Sequence, residues 1–224
     1  MSLISTQILT TLLAQLSVSL TKVNICFAWK PVPAPPEPSA EEIKNALIKH
    51  DIFKDLDIKN YPNYALQVNY EFYYMQLGNS IPDYLLITTP DGVNFTHSEP
   101  KSFYTMIMLG PDNPTRDKPK KRSYQHWVLG NIRGNQFLEA ENLVPYEWRK
   151  APYKKGTHRV IYLLYKQPGK KIMTFDERFM LRSGVALERE YFNMTFFSMK
   201  YDLGDPIAVN FIETTLEVDN GDGH

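Results

Sequence analysis

Three stretches of this chain are apolar almost without interruption: Phe103-Tyr-Thr-Met-Ile-Met-Leu109, His126-Trp-Val-Leu-Gly-Asn-Ile132 and Arg159-Val-Ile-Tyr-Leu-Leu-Tyr165. Each is short and bounded by turn residues, the pattern of a strand buried on both faces. Leu66-Gln-Val-Asn-Tyr70 instead alternates apolar and polar positions, as a half-buried strand does, and Ile207-Ala-Val-Asn-Phe-Ile212 predicts a last strand. Two segments carry helical spacing. Ser39, followed by Glu42 three residues on, forms a capping box that predicts a helix to about Lys49, with Ile43, Ala46 and Leu47 on one face. Phe192, Thr195, Phe196 and Met199 predict a second helix within 188–201, ended by Gly204 and Pro206. No internal repeat is present. The chain therefore reads as mostly β, with a few flanking helices.

The ends are different in kind. Residues 1–28 carry one charge, Lys22, and a moderately apolar run over Ile8–Leu20, then Cys26-Phe-Ala28 with small residues around a bulky one. This reads as a secretory signal peptide cleaved near Ala28, which places the protein outside the cell; a retained cytoplasmic tail and a mitochondrial leader are the alternatives. The run is too short and polar for a transmembrane anchor. Residues 29–38 form a proline-rich linker expected to be extended, residues 39–218 the domain, and residues 219–224 a frayed tail. Cys26 is the single cysteine, so no internal disulfide and no Cys-based metal site is possible. Two sequons, at Asn94 and Asn193, fit export; Asn94 lies in a polar loop and is the better acceptor.

Of the 224 residues, 43% are hydrophobic, and 25 Lys plus Arg balance 25 Asp plus Glu. That supports a real core and gives no field for nucleic acid. The basic run Lys118–Arg122 reads as a solvated loop. Candidate chemistry sits in Gly110-Pro-Asp112-Asn-Pro114-Thr-Arg116, Tyr124-Gln-His126-Trp127 and Gly156-Thr-His158-Arg159. An Asp between prolines is by itself a turn former, and a lone His at a strand start is most often structural. An Asp and two His that each open a strand can also converge on a small pocket whose imidazoles donate to an anion.

These segments resemble those of the phosphatidylethanolamine-binding protein family, also called the Raf kinase inhibitor protein family (PEBP), whose pattern is D-P-D-x-P-S/T-R…H followed by G-x-H-R. The resemblance covers roughly residues 60 to 217 and includes Lys200-Tyr201-Asp-Leu-Gly204-Asp-Pro206. It implies a PEBP-like antiparallel β-sandwich. It also implies a pocket lined by Asp112, Pro114, His126 and His158, with Tyr124 at the rim, Pro152 in the loop before the second His, and Arg116, Gly156 and Arg159 supporting it. The ligand would be a phosphate-type small molecule or a phospholipid head group, the histidines donating to phosphate and Asp112 orienting a His ring or accepting from an amine. No cofactor and no catalysis are implied: G-x-S-x-G and H-E-x-x-H are both missing.

Three positions depart from the family pattern. Gly110 stands for its first Asp, Gln125 for the first His of a pair, and Val160 for a Tyr. Few residues follow the last strand, so the pocket is expected to be more open than in members with a closing helix. The alternative function is a protein-interaction module, inhibitor-like toward a kinase or serine protease, with a degenerate pocket.

Overall fold

The computed structural model describes residues 33–177, 180 and 188–219, and the chain from Pro33 onward forms one compact unit. The expected signal peptide, Cys26 and the start of the linker lie outside the described residues, as does the tail beyond Asp219. Asp219 itself is not frayed: its carboxylate accepts from the Lys155 amide at 2.7 Å and pairs with Lys154 at 3.0 Å.

In chain order the helices are α1 (Ala40–Lys49), α2 (Ile52–Asp55) and α3 (Met194–Lys200). The strands are β1 (Tyr64–Ala65), β2 (Gln67–Tyr70), β3 (Tyr73–Tyr74), β4 (Asn79–Ser80), β5 (Gly92–Asn94), β6 (Phe103–Gly110), β7 (Tyr124–Arg133), β8 (Glu141–Val144), β9 (Gly156–Lys166) and β10 (Ala208–Leu216). The large sheet runs β1-β10-β9-β6-β7-β8, with β4 also on β10; β3-β2-β5 make a second, smaller sheet.

The large sheet is covered on both faces, which is why its strands read as unbroken apolar runs. Along β9, Val160, Tyr162 and Leu164 pack toward the small sheet with Val68, Tyr70, Met106 and Met108. The alternate residues Ile161, Leu163 and Tyr165 pack toward the helices with Ile43, Leu47, Ile52 and Phe197. α1 begins as its sequence dictates: Ser39 Oγ accepts from the Glu42 amide, and the Glu42 carboxylate accepts from the Ser39 amide at 2.8 Å.

Two expectations need adjustment. The pairings β10-β9-β6-β7-β8 are antiparallel, as expected, but β1 and β4 both join β10 in parallel. The chain leaves β10 after β1 to form β2 and β3, returns at β4, and adds β5 to the small sheet afterwards. Asn210 bridges the gap, its Nδ2 donating to the Leu66 and Met75 carbonyls at 2.8 and 3.0 Å. The second helix is also shorter than its spacing implied. Arg189 accepts from the Gln125 amide and Phe192 donates to Ser123, each at 2.9 Å, so 189–192 pair sideways with the start of β7. Those backbone groups cannot also serve helical i→i−4 bonds. Asn193 is consequently the N-cap, its side chain accepting from the Phe196 amide at 2.8 Å. Among the described residues no helix is long and apolar enough to cross a membrane.

Leu163 is fully buried in the central strand. Leu163→Ala should lower the unfolding free energy by roughly 3 kcal/mol, through lost transfer energy and a residual cavity, as read by urea denaturation.

Candidate functional site

β6 runs antiparallel to both β7 and β9, so its C-terminal end meets their N-terminal ends. That topology gathers Gly110 and Asp112 from the end of β6, Tyr124 and His126 from the start of β7, and His158 and Arg159 from the start of β9. Gly110 pairs with Tyr124 directly. The Asn113–Pro114 peptide, just past the end of β6, is cis. Gly156 opens β9 at a φ of +136°, a conformation that favours glycine.

Asp112 is fully buried and belongs to Arg159. Its Oδ2 accepts from the Arg159 amide at 2.8 Å and from Nε at 3.0 Å, and its Oδ1 from Nη2 at 2.5 Å. The same guanidinium donates to Asp55 and to the His50 carbonyl, both at 2.6 Å. Both carboxylate oxygens are thus committed to a structural cation. Arg116 points elsewhere, to Glu213 on β10 at 2.9 Å. Among the described residues, no group of three or more His, Cys, Asp or Glu could hold a metal ion.

The two histidines do converge, but Tyr153 lies between them. Its ring stacks on His158 with centroids 4.4 Å apart, and its hydroxyl lies 2.8 Å from His126 Nε2. His126 Nδ1 lies 2.7 Å from the Glu147 carbonyl, which can only accept, so Nδ1 carries the proton. In the neutral ring Nε2 then accepts, and the Tyr153 hydroxyl donates. Burial drives His126 down to about 3, aided by the Arg189 and His158 charges and opposed by the Glu147 carbonyl. Burial, with the Asp112 charge, holds the Tyr153 phenol well above its ordinary value, so it stays a donor. Burial also lowers His158, against the Lys154 carbonyl and the charge and carbonyl of Asp112. His158 Nε2 bonds the Lys154 carbonyl at 2.7 Å. Its Nδ1 has the Asp112 carbonyl nearby but out of hydrogen-bond geometry, and the buried Tyr124 hydroxyl has no hydrogen-bond partner.

Tyr153 explains Gly110. A Cβ at position 110 would lie 1.7 Å from the Tyr153 oxygen, so an aspartate there and the inserted phenol exclude one another. Asp112, His126, Tyr153 and Tyr124 are all 0% exposed and His158 is 1%, and the Tyr153 side chain occupies the space between the two histidines. Pro152 sits half-buried beside it, and the residue that enters the cluster is its neighbour. Trp148 completes the surroundings, 5.0 Å from the His126 ring and 5.5 Å from that of Tyr153. The sequence reading passed over Tyr153, Trp148 and Glu147. The one available signal for them was the missing side chain at Gly110.

The sequon asparagines differ in availability. Asn94 Nδ2 donates to Gln67 at 2.6 Å in β5, so its amide nitrogen is engaged; Asn193 is exposed with its Oδ1 engaged as a helix cap.

No family model matches the chain. It is 33% identical over 118 residues, 53% of its length, to "Putative odorant-binding protein A5" of Drosophila melanogaster, and spans just over half (55%) of that protein. A carboxypeptidase Y inhibitor, solved in complex with its cognate proteinase, superposes with a TM-score of 0.63 over 80% of this chain and 97% of its own, at 20% identity. The phosphatidylethanolamine-binding protein from Plasmodium vivax does so with a TM-score of 0.57 over 82% of this chain and 100% of its own, at 17% identity. The chain has the fold of the phosphatidylethanolamine-binding proteins. At these identities the solved structures carry the fold. The family's motif residues stand together at one end of the central sheet, with Tyr153 set among them.

Gly110→Ala should destabilise the protein by roughly 2 kcal/mol through overpacking, and should cost far less in a Tyr153→Ala background, as a double-mutant cycle in urea would show. The histidines also set a pH dependence. Both have folded pKa values below the unfolded value near 6.5, so the unfolded chain binds more protons as pH falls below it. Stability is intact above about 6.5 and falls toward the His126 value of about 3. Each group contributes up to ~1.4 kcal/mol per pH unit. The slope of unfolding free energy between pH 6.5 and 5 should be reduced in His126→Gln.

Proposed function

We propose that this chain is a non-enzymatic PEBP-family binding protein that works through its protein surface, with the family's small-anion pocket closed by its own Tyr153. The insertion of Tyr153 between His126 and His158 carries this reading. A phosphate needs an N–H from His126 Nε2, and here that nitrogen accepts from a phenol while the other ring nitrogen serves Glu147. Asp112 accepts three hydrogen bonds from Arg159 across its two oxygens and is fully buried, so an amine would have to compete with a structural guanidinium for it. The reading fits the inhibitor-like alternative, and the carboxypeptidase Y inhibitor with the same fold acts on a protein partner.

The surface offers a site for such contact. Tyr191, Phe196 and Met199 are 62%, 67% and 73% exposed, and all three line a groove of about 630 Å³ beside α3. Exposed aromatic and Met side chains grouped in this way mark protein interfaces more often than bare surface. A secreted location, as the N-terminal segment suggests, and glycan at Asn193 are compatible with this role.

One observation favours a second reading, in which a phosphate-type anion or lipid head group enters when Tyr153 swings out. The Tyr124 hydroxyl and His158 Nδ1 are buried without partners beside it, and a ligand could satisfy them.

Calorimetric titration separates the two. The wild-type chain should show no heat of binding with phosphoethanolamine or inorganic phosphate at pH 6, and Tyr153→Ala should gain binding that is lost again on adding His158→Ala. Saturable binding by the wild type would overturn the closed-pocket reading in favour of the gated one. A protein partner captured by the wild type should be retained by Tyr153→Ala and lost in Tyr191→Ser/Phe196→Ser.

A further inference from the structure

A second cavity, of about 240 Å³, lies where the turn after α2, the helix α3 and the turn before β10 come together. Tyr165, near the far end of β9, lines it. Tyr165 lies seven strand positions beyond His158, roughly 23 Å away, so this cavity is remote from the Tyr153 cluster and does not depend on either reading of it. Tyr165 is fully buried, and its hydroxyl has no hydrogen-bond partner. A buried hydroxyl left in that state is costly, and native structures normally provide a partner for it.

The rest of the lining says what kind of partner. Asp57, Asp202 and Asp205 contribute three negative charges, and Lys59 is the only cation among the lining residues, so the formal charge there is −2. Burial, reinforced by the nearby Asp205 charge, holds the Tyr165 phenol protonated. Ile58, Met194 and Pro206 are buried and give the cavity an apolar wall. An anion would meet net negative charge. A bare divalent ion would want clustered oxygen ligands, and no group of three potential ligands exists among the described residues. The combination suits a molecule that is charged at one end and apolar at the other.

We infer that this cavity binds a small primary ammonium ion carrying a short apolar body. The ammonium donates to the Tyr165 oxygen and to Asp205, while the body lies against Ile58, Met194 and Pro206. A volume of this size holds one small ligand and excludes a lipid chain.

Benzylamine is a suitable probe, with benzyl alcohol as its uncharged counterpart. Titrated into the full chain at pH 7 and low salt, benzylamine should bind saturably and shift the amide resonances of residues 57–59, 165 and 194–206. Benzyl alcohol should bind about tenfold more weakly or worse, because it lacks the charge. Tyr165→Phe and Asp205→Asn should each weaken benzylamine by about tenfold. Tyr165→Phe should do so with an unchanged or raised Tm, since it removes an unpartnered buried hydroxyl; that separates loss of a ligand contact from loss of the fold. The inference is overturned by any of four results: no saturable binding to the wild type, equal affinity for the alcohol, unchanged affinity in both variants, or shifts confined to the surroundings of His126 and Tyr153.

Discussion

The guanidinium of Arg159 is the point on which the pocket end of this molecule depends. It is fully buried at the start of β9, and its nitrogens reach the Asp112 carboxylate, the Asp55 carboxylate and the His50 carbonyl. One side chain therefore ties together the central sheet, the turn after β6 and the helical segment α1–α2. Asp55 is also held by Arg122 at 2.7 Å, and the two arginines outweigh burial to keep its carboxyl below the usual range. A buried cation in a dry interior is tolerated only when its donors are met by charge and good geometry. Asp112 meets that condition with three hydrogen bonds from Arg159 to its two oxygens. In this chain the Asp and Arg of the family motif serve as scaffold.

With the scaffold fixed, the pocket is decided by one exchange of volume. A glycine at the end of β6 leaves space that the Tyr153 phenol enters, and the phenol consumes the hydrogen-bonding capacity of His126. The electrostatic consequence follows from burial. A neutral His126, held by Glu147 on one side and Tyr153 on the other, has no proton to share with an incoming anion. The motif histidines survive in sequence and in place, while their chemistry faces inward. Polar atoms left over at Tyr124 and His158 show that the closure is incomplete in hydrogen-bonding terms. That residue of unsatisfied polarity is what keeps a gated pocket physically reasonable beside a closed one.

Much of this was legible along the chain. Unbroken apolar runs announced a sheet covered on both faces, because every position of a doubly covered strand needs an apolar side chain. The Ser39–Glu42 box placed the first helix, because capping is a local exchange of hydrogen bonds. The segments around Asp112, His126 and His158 carried the family resemblance and pointed to residues that meet at one sheet end, since antiparallel neighbours bring the close of one strand to the start of the next. The sequence by itself thus determined the fold class and which motif residues meet at this end of the sheet, while the pairing of Asp112 with Arg159 emerged only in the structure.

What it did not determine depended on contacts distant in sequence. Tyr153 is 27 residues from His126 and sits in a loop with no periodicity, so nothing local distinguishes it from Pro152 beside it. The helix expected within 188–201 begins only at Met194, because residues 189–192 bond to residues 123–125 at the start of β7, where those hydrogen bonds outweigh a weak local preference. The orphaned Tyr165 hydroxyl and the acidic rim above it come from three separated segments and exist only after they pack. Tertiary structure alone decided which polar groups were satisfied and which were not, because hydrogen-bond satisfaction in the interior is a property of neighbours in space.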